Sequence, residues 1–196
     1  GSNDPLRGTK GTTWEGGMRL PLIARWPGQI PAGSICSELT TSMDLLPTLA
    51  RLAGTTEPQD RIIDGRDIGP LLRSEDGATS PHEVFCYYWQ NTLQAIRNDR
   101  WKLHVRRGRE AEEVHELYDL RDDVGETVNV FEQQPQIVAE LLSHAAIARA
   151  DLGCEASGIV GTGCRPRGHV EHPQTLTTYD PDHPYIIALY DLPEAG

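Results

Sequence analysis

Apolar residues fall at positions 45, 46, 49, 50, 52 and 53 of the segment 41–53, and that spacing lines one face of a helix. Ser42 or Asp44 can cap its start and Gly54 can stop it. Pro47 falls in the first turn, where the N–H groups have no intrahelical partner and a missing donor costs little. A second helical pattern, Ile137, Val138, Leu141, Leu142, Ala145 and Ile147, fills 135–152 and ends at Gly153. Between the two helices the texture changes to short β-rich runs at 84–89, 93–97, 101–105 and 116–120. Gln90-Asn91, Asn98-Asp99 and a charged loop at 106–113 separate them, which predicts an antiparallel meander with the second helix covering one face. Residues 20–26 are mostly apolar, lie between Gly17 and Pro27-Gly28, and read as a strand buried on both faces with Pro21 near its start. Asp64-Gly65 is a turn signal, and 67–73 reads as one or two helical turns.

The polar stretch 74–81 has few groups able to pack, so a boundary is expected there. The organisation predicted is a first unit at 1–75, a small α+β domain at 76–152, and an extension at 153–196 that wraps back on the body and carries a late strand at 185–192. With 196 residues and 38% hydrophobic content the chain can bury a real core. Acids outnumber bases 29 to 18, for a net charge of -11, and no basic patch appears, so a nucleic-acid partner is not expected. No apolar run approaches the length of a membrane span and no charged-then-apolar leader opens the chain, so a membrane partner is not expected either.

The segment 6–19 holds the candidate chemistry. Gly8, Gly11, Gly16 and Gly17 let backbone N–H groups turn toward a ligand, and Lys10 adds a point charge, an arrangement suited to sulfate, phosphate or carboxylate. It lacks the spacing of a phosphate-cradling Walker loop. Glu15 and Arg19, four apart, can pair with each other or brace the loop.

This loop, Gly8-Thr9-Lys10-Gly11-Thr12-Thr13-Trp14-Glu15-Gly16-Gly17 with Arg19 and Pro21, followed by Ala24-Arg25-Trp26-Pro27-Gly28, resembles a late signature of the formylglycine-dependent sulfatases. Ser42-Met43-Asp44-Leu45-Leu46-Pro47-Thr48-Leu49, Asp64-Gly65-Arg66-Asp67-Ile68, Ala95-Ile96-Arg97 with Trp101-Lys102-Leu103, and Glu116-Leu117-Tyr118-Asp119-Leu120 occur in the family's order. The resemblance covers about residues 2–150 and is closest to the arylsulfatase A-like branch. It implies an α/β, alkaline-phosphatase-like fold: the C-terminal part of the catalytic domain, then a small α+β domain with a four-stranded antiparallel sheet and a packing helix. It implies hydrolysis of a sulfate ester, in a small molecule or a glycan, with Lys10 both binding a sulfate oxygen and stabilising charge as the S–O bond breaks. It also implies a nucleophile in a Cys/Ser-x-Pro-x-Arg motif oxidised to formylglycine, and calcium ligands upstream of the loop lysine. Cys36, Cys86, Cys154 and Cys164 do not fit that motif, and Asn3-Asp4 reads as a turn former, so this chain is expected to be a C-terminal portion that is inactive alone and holds no metal of its own. A secreted, periplasmic or lysosomal setting and a possible homo-oligomer accompany that reading. Two alternatives belong to other classes: a phosphonate monoester or phosphodiester hydrolase of the same superfold, and a non-catalytic binder of anionic glycans.

His104 sits on the third predicted strand, where it could line the pocket rim and touch the alcohol half of a substrate, or serve as a half-buried structural residue. Lys102 and Arg97 read as solvent-facing strand residues, and Tyr118 and Asp119, followed by Asp122-Asp123 and Gly125-Glu126, resemble a turn of the family that fixes a hairpin or loop and is not a catalytic carboxylate pair. Cys154 and Cys164, in a glycine-rich stretch, could close a small disulfide loop or remain thiols. A metal site from Cys154, Cys164, His169 and His172 has no structural-zinc spacing.

Overall fold

The alternating residues of the chain's middle build four strands, β1 (Phe85–Trp89), β2 (Thr92–Arg97), β3 (Trp101–Arg107) and β4 (Glu112–Asp119). A computed structural model, which describes residues 2–164, 169 and 171–172, joins them into one antiparallel sheet in sequence order. The described residues up to Cys164 belong to one compact unit, and residue 75 lies within it. The meander matches expectation, except that β3 and β4 continue into the stretch read as a charged loop and turn only at Gly108 to Ala111.

Register sorts the side chains of the sheet onto two faces. Ile96 lies opposite Leu103, and Leu103 opposite Leu117, which makes one face apolar. Helix α4 (Pro135–Leu152) lies on it through Val138, Leu141 and Ala145, while Leu142 and Ile147 of the same pattern face solvent. Pro135 opens the helix, and Gly153 closes it at φ 81°, a conformation that costs residues with a Cβ. The opposite face carries Tyr87, Arg97, Lys102 and His104, with Arg97 directly across from Lys102 and Ala95 across from both Tyr87 and His104. All six residues of β2 are buried, so this second face is covered too.

The predicted N-terminal helix forms as a 3-10 turn (Ser42–Asp44) running into α2 (Leu45–Leu52), and the chain leaves it at Gly54 with φ 75°. Asp44 is fully buried and organises the segment: its carboxylate accepts the Thr41 N–H at 2.7 Å and the Arg66 N–H at 2.8 Å and bonds His82 Nε2 at 2.7 Å. Orientation differs from the amphipathic expectation. Pro47 and Thr48 are buried, the Thr48 hydroxyl accepting the Ile68 N–H at 2.9 Å, while Leu45, Leu46 and Leu49 are exposed. Residues 20–26 form no strand, and Ile23 is 92% exposed. A strand buried on both faces needs hydrogen-bonding neighbours, and the sheet among the described residues is made only of β1 to β4.

The four cysteines are free thiols, Cys154 buried in the core under α4 and Cys164 donating to the Leu152 carbonyl at 3.1 Å. Of the two states open for Cys154 and Cys164, the structure therefore carries the reduced one. Among the described residues no three His, Cys, Asp or Glu side chains are placed to hold a metal, and no helix is long and apolar enough to cross a membrane. Of the extension expected at 153–196 only 153–164, 169 and 171–172 are described, and the strand expected at 185–192 lies outside the described residues.

Leu141 is 0% exposed in the core between helix and sheet, so Leu141→Ala should cost about 2–5 kcal/mol in denaturant unfolding. Ile147→Ala, at an exposed position of the same helix, should stay within about 0.5 kcal/mol.

Candidate active-site loop

The glycine-rich segment folds as a short loop whose ends meet. The Arg7 carbonyl accepts the Gly16 N–H at 2.7 Å, and the Thr9 carbonyl accepts the Thr12 N–H at 3.1 Å, closing a tight turn with Lys10 and Gly11 at its tip. Gly11 holds φ 86°, a conformation glycine reaches without penalty. At Gly16 a Cβ would stand 2.6 Å from the Arg7 carbonyl oxygen, so no side chain fits where the strands of the loop cross. Asn3 does more than form the expected turn: its carboxamide donates to the Gly16 carbonyl at 2.8 Å and the Gly8 carbonyl at 3.3 Å. Lys10 itself is exposed.

What fixes this loop is the pair of residues that follows it. Trp14 lies against the sheet, its ring centroid 4.3 Å from that of His104, with the Arg7 guanidinium 3.9 Å and the Arg107 guanidinium 4.7 Å from its ring. Glu15 opens α1 (Glu15–Met18) and points into the sheet. One carboxylate oxygen accepts Tyr87 OH at 2.8 Å and Lys102 Nζ at 2.9 Å, and the other accepts Arg97 Nη1 at 3.0 Å. Glu126 completes the cluster from the turn after β4. Its Oε2 accepts the Glu15 backbone N–H at 2.7 Å, while its Oε1 lies 2.8 Å from His104 Nε2 and 3.1 Å from Lys102 Nζ. Two carboxylates and two cations balance, and Lys102 bridges both acids.

Burial sets the charge states. Burial alone would raise the Glu15 carboxyl, but Lys102 and Arg97, helped by the Lys102 and Tyr87 hydrogen bonds, hold it below its ordinary value. Tyr87 is pushed well above its usual range by burial and by the adjacent Glu15 charge, so it remains a donor. His104 is lowered, first by burial, against the opposing pull of Glu126. Its Nε2 faces a carboxylate and so carries the proton, while the buried Nδ1 has no partner and holds only a lone pair. The ring is thus neutral.

Several expectations are corrected. His104 is 1% exposed and sits beneath Trp14, so it meets no pocket rim and touches no alcohol from this position. Lys102 and Arg97 do not face solvent, because Glu15 comes down on them from the loop. Glu15 braces the loop, but not through Arg19, whose backbone N–H bonds the Glu15 carbonyl while its side chain stays exposed. Asp119 accepts hydrogen bonds from two nitrogens of the Arg100 guanidinium and holds the β4 turn, as anticipated. Glu126, read only as part of a turn that fixes a loop, proves to be a buried member of the cluster. The signal for the cluster lay in Arg97 and Lys102, whose tight hairpin puts two cations opposite each other and so calls for an anion between them.

Residues 9–149 match the family described as N-sulphoglucosamine sulphohydrolase, C-terminal. The chain is 50% identical over 97 residues to the steryl-sulfatase of Mus musculus, an alignment covering 50% of this chain and 15% of that protein. It is 39% identical over 148 residues to an arylsulfatase of Hemicentrotus pulcherrimus, covering 69% of this chain and 26% of the relative. Among solved structures, the PsFucS1 sulfatase from Pseudoalteromonas sp. superposes with a TM-score of 0.62 at 28% identity, over 74% of this chain and 33% of that one. The chain therefore spans about a quarter or less of the length of these two curated relatives.

Removing Lys102 would leave two buried carboxylates without their shared cation, so Lys102→Met should cost about 3–5 kcal/mol in denaturant unfolding. At the exposed Arg19 the same replacement should stay within about 0.5 kcal/mol. The lowered pKa of His104 gives a pH dependence of known sign: below about pH 6.5 the unfolded chain takes up a proton that the folded ring resists. Stability present above that pH is lost as the pH falls toward the folded pKa, and the depressed Glu15 carboxyl adds a further loss below about pH 4.5. Thermal melting at about pH 7.5 and about pH 5.5 reads the first effect, and identical midpoints would contradict a buried neutral His104.

Proposed function

We propose, for a chain that belongs to the sulfatase family described as N-sulphoglucosamine sulphohydrolase, C-terminal, that it supplies the lysine loop gripping the sulfate group of a sulfuric ester during hydrolysis. The observation supporting this reading is the contrast within one loop: Trp14 and Glu15 are locked into the sheet, while Lys10, a few residues away, is left exposed at a tight turn. A surface lysine with no task needs no such foundation. A cation held in place before the reaction stabilises developing negative charge without reorganising, which is where electrostatic catalysis draws its strength. Lys10 is assigned the contact to a sulfate oxygen, and so both binding and charge stabilisation as the S–O bond breaks. His104 contributes by seating Trp14 and anchoring Glu126, as a positioning residue.

Formylglycine and calcium supply the nucleophile and the Lewis acid in this family by resemblance, and the residues described here fit neither. No cysteine stands in the modification motif and no described cluster could ligate a metal, so no step through either group is assigned to this chain. The exposed apolar side chains of Leu20, Leu22 and Ile23, and of Leu45, Leu46 and Leu49 on α2, are assigned to packing against the α/β remainder of a full-length sulfatase. The substrate is a sulfate ester of a small molecule or a glycan, and the setting is secreted, periplasmic or lysosomal.

In the full-length protein, Lys10→Ala should lower kcat on an aryl sulfate by about 100- to 1,000-fold, or about 2.7–4 kcal/mol, as for removal of other preorganised charge-stabilising donors. The 196-residue chain by itself should turn over none. Unchanged kinetics in the variant, or turnover by the isolated chain, would overturn the reading.

A further inference from the structure

The charged clamp grips only one leg of the Lys10 loop. Thr13, Trp14 and Glu15 are buried against the sheet, whereas Thr9, Lys10 and Gly11, across the tip, are all exposed. We propose that Asn3 is a positioning residue of the sulfate-binding site: its carboxamide clasps the two legs together and so fixes where Lys10 stands. The proposal rests on the reading of Lys10 given above and names what carries rigidity from the clamped leg to the free one.

Donors and acceptors match in number. A carboxamide nitrogen has two hydrogens to give. Asn3 Nδ2 lies 2.8 Å from the Gly16 carbonyl oxygen, on the clamped leg, and 3.3 Å from the Gly8 carbonyl oxygen, on the free leg two residues before Lys10. Among the described residues no backbone N–H reaches either carbonyl. Both oxygens converge on one nitrogen, so without it two partial negative charges would face each other where the legs cross.

The legs meet backbone to backbone. A Cβ on Gly8 would stand 2.6 Å from Thr12 Oγ1 and 2.7 Å from Trp14 Cβ, and one on Gly17 would stand 2.7 Å from the Thr9 carbonyl oxygen. The Gly16 N–H to Arg7 carbonyl bond joins the legs at a single point, on which the free leg can pivot. Asn3 adds a second tie on the side nearer to Lys10, and two ties remove the pivot.

Asn3 is itself anchored. Its own carbonyl accepts the Leu6 N–H at 2.7 Å, closing a turn that returns the side chain to the loop. A Cβ on Gly125 would stand 3.0 Å from the Pro5 carbonyl oxygen in that turn, and Arg7 Nη1 donates to the Glu126 carbonyl at 2.8 Å. The clasp therefore rests on the same turn that carries Glu126. Asn3 is exposed, so its bonds add little to folding, and the main consequence of losing them is a displaced Lys10. A displacement of about 1 Å can cost about 100-fold in rate.

The test uses the full-length protein and 4-nitrophenyl sulfate. Asn3→Ala should lower kcat about tenfold, about 1.4 kcal/mol, and raise KM by less than about threefold. Its melting midpoint should stay within about 2 °C of the parent. Asn3→Asp keeps the shape and carries its own control. At about pH 7.5 its carboxylate faces two carbonyl oxygens and should cost more than Asn3→Ala, whereas the protonated acid regains a donor. Its kcat relative to the parent at the same pH should rise about threefold between about pH 7.5 and about pH 4.5, while the Asn3→Ala ratio stays flat. Lys10→Ala combined with Asn3→Ala should lose no more than Lys10→Ala alone, because a residue that acts through Lys10 then has nothing left to position. Losses that multiply, a pH-independent Asn3→Asp ratio, or parent-like kcat in both Asn3 variants would overturn the proposal. If Lys10→Ala lowers kcat while the Asn3 variants do not, the clasp fails alone. If Lys10→Ala changes nothing, the loop reading fails and takes the clasp with it.

Discussion

Two cations face each other across a hairpin in the interior of this protein. Arg97 and Lys102 are register partners on β2 and β3, both buried, and like charges so placed repel. The pairing is tenable only if an anion lies between them. Glu15 is that anion, and it does not belong to the sheet: it arrives from the glycine-rich loop more than 80 residues earlier in the chain. Satisfying the sheet and fixing the loop are therefore one event. Glu126 extends the logic, because its carboxylate takes the Glu15 backbone N–H and shares Lys102, so a turn at the far side of the sheet closes over the same cluster.

This explains why the sheet has two differently made faces. Under α4 the interior is aliphatic and follows from hydrophobic burial alone. On the other face the contacts are charged, aromatic and hydrogen-bonded, and a buried network of that kind specifies one arrangement only when every member is satisfied. Trp14, tilted against His104 and flanked by Arg7 and Arg107, keeps water from the cluster and so strengthens it. Lys10 inherits the rigidity without being buried, which is the combination a preorganised cation requires.

The sequence was most readable where one period dominates. β1 to β4 and α4 follow from alternation and from helical spacing closed by Gly153. It was least readable where burial depends on something other than local pattern. Residues 20–26 carry the composition of a central strand but have no ladder partner among the described residues, and α2 turns Leu45, Leu46 and Leu49 outward and Thr48 inward, where its hydroxyl takes the Ile68 N–H. Lys102 and Arg97 were misplaced because charged residues on a strand ordinarily mark a wet face, and only their opposed register hinted otherwise. The glycine loop was recognised from its residues, whereas Glu126 was legible only as part of a turn, and no local pattern says that its carboxylate reaches back to the Glu15 N–H.

The central claim is that this charged clamp holds the Lys10 loop. Residue-resolved amide hydrogen exchange, comparing the parent with Glu126→Gln, tests it most directly. The account predicts slow exchange at the Glu15, Gly16 and Gly17 amides in the parent, and selective loss of that protection across residues 8–17 in the variant while β2 and β3 stay protected. A loop that exchanges freely in the parent, or one whose protection survives the substitution, would contradict it.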